Sequence, residues 1–286
     1  MTSLAKWLII LRAYAFPATF VPMLIGSIIA YKYGNFKWLD FALTLIATFF
    51  LHSGLNLANT YFDYKNGVDR KGADDIGIVE NLISPARAIK ISLIFFSVSA
   101  LIGLFIVFKN NVFQLLILGV FGFAIAWFYT APKLAYKYRG AGEFGVFLGC
   151  GPLIVTGTAL IQTGKILSDA IIASIPIGLV IVGLLVANNI RDRERDEDSK
   201  IKTLVHILGI EKSIYLYYIV ILLPFGISCV FLNFSFSSLI LLPSVLFAVR
   251  LIAIAKNGKF VELVRETPKQ IAMFGILFSL SIYFRS

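Results

Sequence analysis

The chain predicts an all-α, polytopic membrane protein of about nine transmembrane helices, and three observations carry that expectation. Apolar residues make up 58% and charged residues only 15% of the 286 residues. Mean hydropathy is +0.85, more apolar surface than a soluble domain of this length can hide in one core. The apolar residues also gather into runs of membrane length, separated by short polar loops. Residues 1–286 read as a single transmembrane domain. The first run is long enough to remain as a span and has no cleavable-signal pattern.

Taken in order, the runs place spans at about Leu8 to Tyr31, Leu39 to Thr60, Ala88 to Phe108, Val112 to Thr130, Phe144 to Gln162, Ala170 to Ile190, Tyr215 to Phe231, Ser237 to Ile254 and Ile271 to Tyr283. Pro17 and Pro22 in the first, and Gly151 and Pro152 in the fifth, predict kinked walls that face the protein interior. Cys150 and Cys229 lie in separate apolar runs without ligand spacing, so both read as small core residues.

With the N-terminus inside, strict alternation leaves only Lys32, Lys37, Lys109, Lys165 and Arg285 outside. It collects the other basic residues, among them Lys6, Arg12, Lys65, Arg87, Lys137, Arg191 and Lys200, on the cytoplasmic face. The expected location is therefore the cell membrane, with the N-terminus and the acidic loops cytoplasmic. Basic loops of this kind also suit anionic membrane lipid. No nucleic-acid partner is expected.

Acidic residues at a membrane boundary need more explanation, because carboxylates there are costly to desolvate. Asn59 and Asp63 are spaced i, i+4 at the end of the second span. Asn188, Asp192 and Asp196 are spaced i, i+4, i+8 at the end of the sixth, so each set lines one helical face. Gly67 is placed to end the second span, leaving Asp69 to reach back from a loop. Solvated helix ends paired with neighbouring arginines are the bland alternative. It is weakened because acids at helix C-termini oppose the dipole. Two facing carboxylate sets suit a diphosphate carried between them by Mg²⁺. Arg70, Lys71, Lys133, Lys137 and Arg139 are then candidate partners for the remaining phosphate oxygens, and Tyr129 and Lys133 form a YxxxK spacing.

These motifs resemble the UbiA superfamily of intramembrane aromatic prenyltransferases, in span number, chain length and the two Asp-rich segments. The resemblance implies helices around a central cavity, a cap of cytoplasmic loops, and Mg²⁺ with a prenyl diphosphate bound by the two motifs. Asn59, Asp63 and Asp69 then belong to the first motif, and Asn188, Asp192 and Asp196 to the second. Asp63, Asp69, Asp192 and Asp196 become metal ligands, with Asp63 and Asp192 central to catalysis. Asn59, Arg70, Lys71, Tyr129, Lys133 and Asn188 become substrate-binding residues. The first motif departs from the commoner NDxxDxxxD form, with Thr60 and Gly67 at two of its acidic positions. Within the superfamily, NTYFDYKNGVD (59–69), GAGEFGVFLGCGPLIVTGTALIQTG (140–164) and NNIRDRERDEDSKIKTL (188–204) are most similar to 1,4-dihydroxy-2-naphthoate polyprenyltransferases of menaquinone synthesis.

The implied partners are a polyprenyl diphosphate and an aromatic acceptor, most simply the naphthoate with loss of CO₂. Hydroxybenzoate or a glycerol-phosphate lipid are alternative acceptors. Tyr61, Phe62 and Trp127 lie near the motifs, but among 26 Phe and 12 Tyr they read as packing. His52 reads as a hydrogen-bonded interior group, His206 as structural, Glu143 as half of a salt bridge, and Asn56 as an extension of the polar wall. A phospholipid alcohol phosphotransferase lacks its DGxxAR pattern here. A cation transporter would favour charges near the midplane of repeated, discontinuous helices rather than at helix ends.

Overall fold

The computed structural model describes residues 2–68, 77–198 and 201–285. The elements are α1 (Ser3–Ile10), α2 (Pro17–Lys32), α3 (Trp38–Lys65), α4 (Pro85–Asn110), α5 (Gln114–Phe128), α6 (Gly142–Leu148), α7 (Ile154–Thr163), α8 (Ser168–Asp198), α9 (Leu204–Leu208), α10 (Ile210–Phe231), α11 (Leu242–Lys256) and α12 (Phe260–Tyr283). Among the described residues, seven segments are long and apolar enough to cross a membrane. They are α2 with its preceding turn, α3, α4, α6 with α7, α8, α10, and α11 with its preceding turn. Of the remaining two expected spans, α5 has only 15 residues. The other, α12, carries Glu262, Arg265, Glu266 and Lys269 in its first half, which lowers its hydropathy, so the helix begins well before the apolar run at Ile271.

The first expected span is broken. Arg12 adopts φ 52°, a left-handed conformation, after α1, and a 3₁₀ turn over Ala13–Ala15 leads into α2 with Pro17 in its first turn. Proline there costs no hydrogen bond and pre-sets the helical φ. The Asn56 amide donates to the Leu11 carbonyl at 2.9 Å, satisfying backbone at the break. The kink expected in the fifth span is a π-helical turn over Gly149–Leu153 between α6 and α7, with Pro152 inside it.

α8 is the most buried span and packs against α10, α12, α6 and α2. Glycines let the helices approach closely. A Cβ on Gly26 of α2 would lie 2.4 Å from the Val155 carbonyl oxygen of α7, the small-residue packing that membrane helices use in place of a hydrophobic drive. Large apolar side chains such as Leu101, Phe121 and Leu246 point outward.

Ion pairs and hydrogen bonds tie the helix ends on one side together. Lys109 Nζ lies 2.6 Å from Asp40 Oδ1, Asn110 donates to Asp40 Oδ2 at 3.0 Å, and Gln162 Oε1 accepts from the Lys37 backbone N–H at 2.6 Å. The ends of α3 and α8 that carry Asp63 and Asp192 lie on the opposite side. There the 129–141 loop meets the 201–203 segment through Lys202 N–H donating to the Tyr138 carbonyl at 3.3 Å.

Candidate active site

A cavity of about 400 Å³ opens at the end where α3 and α8 finish. Its lining comes from the start of α2, from α3, α5, the π turn with α7, and α8, and includes Tyr129, Tyr136 and Lys137 of the following loop. Two of its walls differ in chemistry. Thr44, Thr48, His52, Asn56, Asn59 and Asp63 step down one face of α3 at intervals of three or four residues, and all line the cavity. Across from them, α5 and α7 contribute Leu118, Gly119, Gly122, Ile154, Gly157 and Ile161. The mouth is charged and the interior mainly apolar.

Asp63 is 2% exposed. Its Oδ2 accepts from Lys137 Nζ at 2.9 Å and its Oδ1 from the Tyr138 hydroxyl. Burial works most strongly against the Lys137 ammonium, but the charge of Asp63, Tyr138 and the hydrogen bond to Asp63 together outweigh it and hold that lysine above its ordinary range. Burial, then the Asp63 charge, also pushes the Tyr138 phenol up, so it stays protonated and donating. Lys137 stands over the Tyr129 ring, 5.8 Å from its centroid. One turn before Asp63, Asn59 Oδ1 accepts from Thr130 Oγ1 at 2.7 Å. The turn after α3 is closed by Gly67 at φ 72°, with Val68 N–H donating to the Asp63 carbonyl, the left-handed helix ending that glycine permits.

On α8, Asn188, Asp192 and Asp196 line the same mouth. Arg191 donates twice to Asp192, from Nε to Oδ1 and from Nη2 to Oδ2, both at 2.7 Å, and Arg195 reaches Oδ2 at 2.9 Å. Asp196 is buried, with Lys137, Asp192, Arg195 and His206 in electrostatic reach. His206 braces this end, because its Nε2 meets the Arg193 carbonyl at 3.1 Å and its Nδ1 the Thr203 hydroxyl at 2.8 Å. Asn189 donates to Glu143 Oε1 at 2.8 Å, so among the described residues Glu143 is held by an amide rather than by the cation of a salt bridge.

Of the residues expected at the site, the structure brings together Asn59, Asp63, Tyr129, Asn188, Asp192 and Asp196. Asp69, Arg70 and Lys71 lie outside the described residues. Lys133 is exposed at φ 84° and is not part of the lining; Lys137, one turn of sequence further on, takes the inward position. Tyr138, Thr130 and the clamping roles of Arg191 and Arg195 were not singled out. Only the arginines had a sequence signal, their i−1 and i+3 spacing to Asp192. Cys150 packs against the core and also lines the cavity, whereas Tyr61, Phe62 and Trp127 are absent from the lining and Trp127 packs on Phe62, Phe96 and Phe123.

The donor set at the mouth fits Mg²⁺: carboxylate and amide oxygens, with no histidine or cysteine among the motif residues. Among the described residues no three potential protein ligands converge on one point. That arrangement suits an ion that takes most of its coordination from phosphate and water.

A family model for the UbiA prenyltransferase family matches residues 19–281. The UbiA prenyltransferase domain-containing protein 1 of Xenopus tropicalis is 26% identical over 282 residues, covering 97% of this chain and 81% of that protein. The 1,4-dihydroxy-2-naphthoate octaprenyltransferase of Bacillus subtilis (strain 168) is 32% identical over 200 residues, covering 69% of this chain and 64% of that protein. Among solved structures, an apo UbiA homolog from Aeropyrum pernix K1 superposes with a TM-score of 0.73 at 14% identity, covering 95% of this chain and 97% of that one. A UbiA homolog from Archaeoglobus fulgidus bound to GPP and Mg²⁺ gives 0.66 at 14% identity, covering 97% and 99%. These two likenesses are of fold. With a family match over most of its length and a membrane-length helical bundle around an acid-lined cavity, the chain belongs to the UbiA prenyltransferase family and is a multi-pass membrane prenyltransferase.

Proposed function

We propose that the protein transfers a polyprenyl group from a polyprenyl diphosphate to 1,4-dihydroxy-2-naphthoate, with loss of CO₂. The observation that carries the reading is that Asp63 of α3 and Asp192 and Asp196 of α8 line one charged mouth of an otherwise apolar cavity, with Lys137 between the two sets. The 32% identity to a naphthoate octaprenyltransferase supports the acceptor.

In this reading Asp63, Asp192 and Asp196 would hold Mg²⁺, with Asp69 as a further ligand, and Asn59 and Asn188 would orient the diphosphate. Bound Mg²⁺ supplies neutralisation of the charge that grows on the departing diphosphate. Lys137, with Arg70 and Lys71, binds phosphate oxygens and stabilises that same charge. Tyr129, under the Lys137 ammonium, presents an aromatic face at the mouth where an allylic cation would form. The apolar walls exclude water, so the cation is captured by the electron-rich ring carbon rather than hydrolysed. When the attacked carbon bears the carboxylate, breaking its bond to that group returns the electron pair to the ring and releases CO₂.

The test is an assay of purified protein in detergent with a prenyl diphosphate, Mg²⁺ and either carboxyl-labelled 1,4-dihydroxy-2-naphthoate or 4-hydroxybenzoate. Release of labelled CO₂ from the naphthoate, dependent on Mg²⁺, is expected. Prenylation of hydroxybenzoate alone would overturn the acceptor assignment, and transfer to neither would turn attention to glycerol-phosphate lipid acceptors.

A further inference from the structure

The two walls of the cavity offer different chemistry to the two substrates, and His52 sits midway along the polar wall with one ring nitrogen anchored. Thr44 and Thr48 return their hydroxyl hydrogens to their own helix, to the Asp40 carbonyl at 2.6 Å and the Thr44 carbonyl at 2.8 Å. The Asn56 amide nitrogen donates to the Leu11 carbonyl and the Asn59 oxygen accepts from Thr130, both toward the charged mouth. His52 lies deeper and is a ring. Its Nδ1 is paired with the Thr19 hydroxyl of α2, and its ring stands edge-on to Phe16, with centroids 5.6 Å apart and planes at 88°. Its Nε2 makes no hydrogen bond to any described residue, although the ring lines the cavity. A polar atom inside a membrane protein is costly to leave unsatisfied. Here two contacts fix the ring, which lines the cavity where a substrate would lie.

His52 precedes Asp63 by eleven residues, about 16 Å along the helix at 1.5 Å per residue. That separation accommodates, end to end, a diphosphate at the carboxylates, the first prenyl carbon, and a flat hydroxylated ring system. The prenyl tail has no hydrogen-bonding group to offer the α3 wall. It is matched instead by the wall of α5 and α7, where an added Cβ on Gly119 would meet nothing within 4 Å and one on Gly122 or Gly157 only leucine methyls at 3.8 Å.

We infer that His52, held by Thr19, is a positioning residue for the acceptor: its Nε2 hydrogen-bonds a ring hydroxyl of a hydroxylated aromatic substrate at the end away from the diphosphate. Either tautomer serves, because a hydroxyl both donates and accepts. The inference rests on the aromatic-acceptor reading above and names the side chain that recognises that acceptor.

The experiment measures KM for each substrate separately in wild type, His52→Phe, His52→Asn and Thr19→Val, with donor binding and thermal unfolding in detergent as folding controls. His52→Phe should raise the acceptor KM about tenfold or more, the effect of losing one buried hydrogen bond, while the prenyl diphosphate KM stays within about twofold. His52→Asn should recover part of the loss, and Thr19→Val should shift the acceptor KM in the same direction by less. An acceptor analogue lacking one hydroxyl should be discriminated against by wild type but not by His52→Phe. A donor-specific rise in KM, an equal rise for both substrates, or an unchanged acceptor KM in folded His52→Phe would overturn the role of His52 while wild-type transfer to the aromatic acceptor leaves the enzyme reading standing. Failure of wild type to prenylate any hydroxylated aromatic would remove both.

Discussion

Asp63 is held by two donors of different kind, a charged lysine and a neutral phenol, and the consequences of removing each differ. Replacing Asp63 or Asp192 by alanine removes the charge that a metal–diphosphate site needs. Each variant should lose transfer by at least about a hundredfold while still unfolding cooperatively in detergent. Ordinary turnover by both folded variants, measured with labelled prenyl diphosphate, would defeat the metal–diphosphate model. Tyr138→Phe keeps the charge and removes one hydrogen bond to it, so its effect should be smaller, about tenfold on the donor KM, since hydrogen bonds to charged groups contribute about 1.5–3 kcal/mol. The pH dependence follows from Lys137, which is raised above its unfolded value by Asp63. Its contribution to stability is therefore whole below the unfolded lysine pKa, about 10.4, and is lost as pH rises through the higher folded value. The melting difference between wild type and Lys137→Gln should stay constant from pH 7 to pH 9 and shrink only at stronger alkali.

At the scale of elements, two features set how the helices meet. Asp40 is fully buried at the start of α3, whereas its partner Lys109 at the end of α4 is 30% exposed. Removing Lys109 strands a carboxylate away from water, and removing Asp40 leaves a lysine that can reach it. Lys109→Ala should therefore destabilise more than Asp40→Ala, by about 3 kcal/mol at most given its partial exposure. Equilibrium unfolding in mixed detergent measures both, and the reverse order would show that Asp40 is satisfied without the ion pair. Close approach of α2 and α7 at Gly26 is the second feature. The atom an added methyl would strike is a backbone oxygen, not a side chain that could rotate away. Gly26→Ala should cost about 1–3 kcal/mol, visible as a lower melting temperature.

At the scale of the whole molecule, the helix ends divide the basic residues unequally. Lys32, Lys37, Lys109, Lys165 and Arg285 lie at the end away from the mouth, and Lys65, Arg87, Lys137, Arg191, Arg195, Lys256 and Lys259 at the other. Because positive loops stay in the cytoplasm, the mouth is expected to face inward. Single cysteines introduced at Gly34 and at Gly258, two exposed turns at opposite ends, check this with a membrane-impermeant maleimide on intact cells: Gly34→Cys should label and Gly258→Cys should not. The inverse pattern would reverse the orientation. The cavity itself is lined by α2, α3 and α5 to α8, with α10 and α12 packed against α8 and α12 also against α2.

The helical membrane class, the family and the two acidic segments were legible in the chain by itself, because hydropathy runs and i, i+4 spacing are local properties of a helix. The same locality explains what was hidden. The break at Arg12 is met by Asn56 donating to Leu11 from a different helix, and Glu266, in the charged first half of α12, meets Arg250 of α11. No run of apolar residues records either. The choice of Lys137 over Lys133 turned on the backbone path of a loop in which Lys133 and Ala135 both adopt positive φ. Sequence alone therefore determined which helices carry the acids. Only the tertiary structure decided which cations and hydroxyls meet them, and which wall of the cavity is polar, because those contacts join residues far apart in the chain.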